Sequence, residues 1–149
     1  MSGSRREELE CQSCFQKSSS TEKFSCINID IPRPDTQHAP IHLERCIRET
    51  FADELIMNEG EDDGWSCSCG GTSAQKRTNV LTSPFVLLLQ LKRFLWTEEG
   101  SRKDHAVINV PEIFRLHQQQ YRIIAMVNHI GATMDSGHYT AEIHTNNRA

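Results

Sequence analysis

Cys11-Gln12-Ser13-Cys14 and Cys67-Ser68-Cys69 put two close cysteine pairs at the ends of a long excursion, and no other feature restricts the folding of this chain so strongly. A tetrahedral Zn2+ is held in this way when each pair sits on its own hairpin tip. The four thiols of Cys11, Cys14, Cys67 and Cys69 are therefore candidate ligands for a structural zinc, with a metal-free remnant of the same hairpins as the alternative. Four protein ligands leave no position for a substrate water, so a metal here would stabilise the fold and not catalyse. The chain has six cysteines in all, an even number that would suit disulfides in a secreted protein. Its first ten residues, MSGSRREELE, are polar and charged, unlike a secretory leader or an anchor. The expectation is an intracellular setting, cytoplasm or nucleus, with thiols unbridged or metal-bound.

At 149 residues and 37% apolar content the chain can bury a modest core, but a mean hydropathy of -0.54 is polar for a self-contained globule. A net charge of -4, with lysines and arginines scattered, offers no basic surface to nucleic acid or to an anionic membrane. The longest apolar run, Phe85 to Leu89, is far too short to span a bilayer. A protein partner is the expected one.

Glu22 to Ile31 alternates Ile27, Ile29 and Ile31 with Asn28 and Asp30, the period of a half-buried strand, and Ser18 to Thr21 before it reads as a hairpin loop. Leu43, Cys46, Ile47, Thr50 and Phe51 fall at helical spacing, so 41–51 reads as an amphipathic helix. The acidic run 59–63 reads as a solvated turn without the ligand alternation of a calcium loop. Phe85 to Phe94 reads as a central strand and Val107 to Val110 as a short one stopped by Pro111. His117 to Gln120 reads as a polar loop, followed by strands at Tyr121 to His129 and Tyr139 to His144.

The last part, YRIIAMVNHIGATMDSGHYTAEI, joins two apolar strands by a loop with Gly131 and Gly137 at its ends, which supply torsional freedom. A histidine at a strand start beside a loop able to open and close is the mounting of a general base. Alone, Gly137-His138-Tyr139 would be an ordinary turn. Together with Leu89-Gln90-Leu91-Lys92-Arg93-Phe94 and the cysteine pairs in the same order, it resembles the histidine box of the ubiquitin-specific proteases, papain-like deubiquitinating enzymes. The likeness runs from about Leu9 to Ile143.

The resemblance implies that His138 takes the proton of the nucleophilic cysteine, and that Ile130 to Gly137 is a blocking loop that moves aside for the ubiquitin tail. His129, Gly131, Asp135, Ser136, Gly137 and Tyr139 would then touch substrate. It implies a structural zinc on Cys11, Cys14, Cys67 and Cys69 in a fingers lobe. The family has CxxC in both halves, whereas here Ser66 stands in the place of one cysteine and Cys67 is displaced by one residue. On a strand that shift turns the side chain to the other face unless a bulge corrects it.

The nucleophile of such a protease sits at a helix N-terminus ahead of the histidine, and none of the six cysteines has that setting. Asn146 and Asn147 come too early for the residue that orients the imidazole. The expected architecture is α+β: an antiparallel β-rich, zinc-ribbon-like fingers lobe at about 9–81 and a palm sheet at about 82–149, with the helical thumb absent and residues 1–8 disordered. The implied function is cleavage after the C-terminal glycine of ubiquitin by Cys-His catalysis, with this C-terminal half carrying only the histidine side and inactive alone. Its partners would be ubiquitin or ubiquitinated proteins and a thumb-bearing N-terminal half. The alternative is a non-catalytic ubiquitin-binding or regulatory module. Absence of a thumb would leave Val86, Leu88 and Ile124 partly uncovered.

Overall fold

The computed structural model describes residues 2–32, 40–58, 64–97, 100–131, 133 and 136–144. In chain order the elements are β1 (Gly3–Cys11), β2 (Lys17–Phe24), β3 (Cys26–Ile29), β4 (Ile41–His42), α1 (Leu43–Thr50), β5 (Glu54–Met57), β6 (Ser73–Thr82) and β7 (Leu88–Leu91). They continue as β8 (Phe94–Thr97), β9 (Gly100–Lys103), β10 (Ile108–Asn109), β11 (Ile113–Leu116), β12 (Gln119–Arg122), β13 (Ala125–Ile130) and β14 (His138–Ile143). The chain divides into two compact units, Met1–Ile27 with Arg48–Leu89, and Asn28–Ile47 with Gln90–Ala149. The segment holding most of the helix thus groups with the second half of the chain and not with the first, as a single cut near residue 81 would have it. No helix among the described residues is long and apolar enough to cross a membrane.

The first unit is built on an antiparallel sheet in the order β2-β1-β6-β5. Its central strand β1 covers the segment expected to be disordered: Glu7 lies opposite Ser20 on one side and Thr78 on the other. Residues 1–8 read as solvated charge because the sequence alone does not show what faces each charge. In the sheet, Arg5 donates to Glu22 at 2.6 Å, Lys17 pairs with Glu8 and Glu10 at 3.2 Å, and Arg77 pairs with Glu10 at 3.2 Å and Asp53 at 2.9 Å. Cross-strand opposite charges support a polar ladder that propensity would not favour. The serine run expected to turn lies within β2, and the β1–β2 turn falls instead at Cys11 to Gln16, closed by the Cys11 N–H to Gln16 O bond of 3.0 Å. Phe24, Ile27, Ala74, Val80 and Pro84 are buried.

The second unit contains the antiparallel hairpins β8–β9, β11–β12 and β13–β14. β10 and β4 pair in parallel. Ile29, Ile41, Leu43, Cys46, Ile47, Phe114 and Leu116 are its buried apolar residues among the described residues. In α1 the buried residues Leu43, Cys46 and Ile47 recur at helical spacing, and Glu44 in the first turn with Arg48 in the last complements the helix dipole. The helix is shorter than 41–51 because Ile41 and His42 are committed to pairing with β10.

Segment 85–94 is not one buried central strand. It is β7 followed, across Lys92 and Arg93, by the start of β8, and Phe85, Val86 and Leu88 are exposed, as is Ile124. Strands β5, β6, β9 and β11 were not legible in the sequence, and β12 begins within the polar 117–120 stretch, where His117 adopts φ 54° at the turn. The acidic turn at 59–63 lies outside the described residues.

Candidate functional site

In the first unit, Cys11, Cys14, Cys67 and Cys69 converge, with all four sulfurs within 4.8 Å of one another. Cys11 Sγ lies 3.7 Å from Cys69 Sγ, and Cys14 Sγ lies 3.7 Å from Cys67 Sγ. A Zn–S bond of about 2.3 Å in a tetrahedron sets sulfur–sulfur edges of about 3.8 Å, so these two separations suit a tetrahedral ion. They are not bridged as disulfides. The shortened spacing in the second pair does not misdirect Cys67, because the pair lies in a turn and not on a strand. Gly70 N–H bonds to Cys67 O at 2.9 Å, Cys67 N–H bonds to Gly71 O at 2.9 Å, and Gly70 adopts φ 86°, which favours glycine. The alternation of faces that governs a strand has no hold there.

The local backbone also favours thiolates. N–H groups of Cys14 and Ser13 aimed at Cys11 hold its thiol down to about 6. The Cys69 N–H lowers Cys67. Cys14 has a Gln16 N–H favouring its thiolate, but hydrogen bonding with Cys69, burial, and the Cys67 and Cys11 sulfurs outweigh it and push the thiol up to about 12. Several sulfurs this close cannot all carry negative charge without a cation among them, and metal binding removes their protons.

The second unit mounts the histidine. His138 opens β14, is exposed, and lies opposite Ile130 in the hairpin register. His129 pairs with Tyr139, their ring centroids 4.7 Å apart. The Phe94 ring also approaches the His129 ring, with centroids 5.9 Å apart. Gly131 and Gly137 have φ 157° and 156°, and a Cβ on Gly137 would collide with Nε2 of His129. Ser136 Oγ lies 3.0 Å from Thr133 Oγ1 across the loop. Asp135 lies outside the described residues, as do Asn146 and Asn147. Thus His129, Gly131, Ser136, Gly137, His138 and Tyr139 gather at one end of the β13–β14 hairpin.

The LQLKRF segment supports this end. Lys92 pairs with Asp30 at 2.7 Å, Arg93 donates to the carbonyls of Asp104 at 3.2 Å and Ala106 at 2.8 Å, and Phe94 meets His129. Lys103, which sequence reasoning passed over, is buried against the hairpin, with Nζ 2.8 Å from His129 O, 2.7 Å from Gly131 O and 3.1 Å from His129 Nδ1. A charge in the RK dipeptide ending β9 carries no sequence sign of burial. Among the cysteines, Cys46 lies inside α1, fully buried, and burial pushes its thiol up, the reverse of an activated nucleophile.

The model of the ubiquitin carboxyl-terminal hydrolase family matches residues 1–149. The chain is 31% identical over 160 residues to the probable ubiquitin carboxyl-terminal hydrolase creB of Aspergillus flavus, covering 98% of this chain and 20% of that protein. It is 30% identical over 109 residues to ubiquitin carboxyl-terminal hydrolase 10 of Saccharomyces cerevisiae, covering 66% of this chain and 14% of that protein. The chain therefore spans about a fifth of the length of the creB relative. Among solved structures it resembles a chain of the yeast SAGA DUB module with an Sgf73 mutant, with TM-score 0.76 and 25% identity over 98% of this chain and 33% of that one. It shares its fold with a chain of the SAGA Ubp8/Sgf11/Sus1/Sgf73 DUB module bound to ubiquitin aldehyde, with TM-score 0.72, 23% identity, and coverage of 98% of this chain and 34% of that one. A family model that matches residues 1–149 of this chain, and a β-rich fold shared with these neighbours, place this chain in the ubiquitin carboxyl-terminal hydrolase family.

Proposed function

We propose that this chain is the C-terminal, histidine-bearing part of a ubiquitin-specific protease catalytic domain. The reading rests on one observation above all: His138 stands exposed at a strand start, behind a turn whose ends are Gly131 and Gly137. In this reading the first unit is the fingers lobe, a zinc ribbon on Cys11, Cys14, Cys67 and Cys69, and the hairpins of the second unit belong to the palm. The metal would supply folding free energy at the ribbon tip and no chemistry.

The His138 imidazole would take the proton from a cysteine thiol contributed by protein beyond these 149 residues. The thiolate would attack the carbonyl carbon of ubiquitin's C-terminal glycine, and the imidazolium would then return the proton to the departing amine. His129, Gly131, Asp135, Ser136, Gly137 and Tyr139 would line the path of the ubiquitin tail, with the Ile130 to Gly137 loop yielding as it enters. Cys46, buried and with its thiol pushed up by that burial, does not suit the part of the nucleophile.

The test is turnover of a ubiquitin C-terminal fluorogenic substrate. The chain alone gives none above buffer. Mixed with a separately expressed N-terminal portion of the same protein it gives activity that His138→Ala lowers by about 10²–10⁴-fold, the usual worth of a general base, while His117→Ala leaves it nearly unchanged. Covalent labelling of the chain alone by an electrophilic ubiquitin probe, at Cys46 or any other cysteine, would refute the division of roles. Ubiquitin binding with no activity in the complemented mixture would favour the non-catalytic module.

A further inference from the structure

The start of the loop before His138 is held from outside its own hairpin. Lys103, the last residue of β9, is 9% exposed. A buried ammonium is tolerated where each of its three N–H bonds finds an acceptor. Lys103 has three: the carbonyl oxygens of His129 and Gly131 at 2.8 and 2.7 Å, and His129 Nδ1 at 3.1 Å. All three belong to the residues on either side of Ile130, which is the register partner of His138.

The third contact also determines the imidazole. An ammonium has no lone pair, so Nδ1 must accept, which leaves the ring proton on Nε2. That is the ring edge against which Gly137 is packed, where an added Cβ would collide. Gly137 is covalently followed by His138. Tyr139 and Phe94 pack in tilted contact with the same ring, at centroid distances of 4.7 and 5.9 Å.

We propose that Lys103 is a positioning residue. Its ammonium selects one tautomer and ring plane of His129 and pins the Gly131 carbonyl, and through the His129–Gly137 contact it sets the backbone from which His138 projects. Three acceptors converging on one point suit a compact ammonium and not the planar fork of arginine. The proposal deepens the reading of His138 as the base, but its test does not depend on activity.

The experiment is long-range 1H–15N correlation of the histidine rings in the full chain at alkaline pH. His129 should show a single Nε2–H tautomer with Nδ1 displaced as a charge-assisted acceptor, while exposed His105 and His117 show the solvent-averaged pattern. In Lys103→Met, which keeps the stem and removes the charge, His129 should revert to the averaged pattern. Amide exchange at Gly131 and Gly137 should quicken by about tenfold or more, with protection in β1 and β6 unchanged. Lys103→Arg should not restore the wild-type spectrum. An averaged or Nδ1–H form of His129 in the wild type overturns the proposal, and that spectrum decides alone if Lys103→Met does not fold. Unchanged tautomer and exchange in a folded Lys103→Met overturn it too. If His138 is not a base, only the turnover assay changes, and these spectra remain as described.

Discussion

Gly137 rests so closely on the His129 imidazole that no side chain fits between its α-carbon and Nε2. Gly137, which precedes His138, therefore packs on a ring, and the residue that begins β14 follows from a packed position.

Gly137→Ala should disturb this end of the hairpin. The new methyl must push His129 away from its contacts with Tyr139 and Phe94, and φ 156° is unfavourable to alanine. Overpacking of this kind costs about 1–3 kcal/mol. Denaturant unfolding should register a loss of that size, with ring-current shifts of Tyr139 lost. Unchanged shifts would mean that the contact is slack.

Purified after expression with zinc, the chain should carry one zinc ion, and Cys14→Ser should sharply weaken its retention. Removal by chelator should loosen β1, β2 and β6 near the cysteines while the β13–β14 hairpin keeps its exchange protection, since the thiols lie in the first unit. Metal analysis finding none in a well-folded sample would argue for the remnant finger.

Phe15 adopts φ 60° just after Cys14, a left-handed conformation unusual for a bulky residue, with its ring 68% exposed. That conformation costs a non-glycine residue about 1–2 kcal/mol, part of which glycine loses again as backbone entropy. Phe15→Gly should raise stability by about 0.5–1 kcal/mol, read as a higher denaturation midpoint at constant slope. A lower midpoint would show that the ring contributes packing.

Glu10 is held below the usual carboxylate range, first by its hydrogen bond to Lys17 and then by the charges of Lys17 and Arg77. A folded-state pKa below the unfolded one adds stability that is present above the unfolded value and lost as pH falls through the folded value. Wild type should therefore exceed Glu10→Gln in stability at neutral pH, and the gap should close on acidification below the ordinary glutamate range. Paired denaturation curves across pH measure this, and a gap that widens in acid would contradict the assignment.

By itself the sequence marked the four cysteines able to share one ion, and the Gly137-His138-Tyr139 stretch with Gly131 ahead of it. The cysteines are legible because metal ligation demands particular residue types at short spacing. It also marked the buried stripe Leu43, Cys46 and Ile47, since helical periodicity is local. Tertiary structure alone decided that the charged N-terminus is a central strand, because Arg5, Glu10 and Lys17 are stabilised by partners up to 67 residues away, such as Arg77 with Glu10. It placed Cys67 in a turn, where the alternation of a strand no longer governs direction. It also buried Lys103 against two carbonyls and an imidazole 26 and 28 residues along the chain. Such acceptors satisfy an ammonium only when folding brings them to one point, and no local pattern records that convergence.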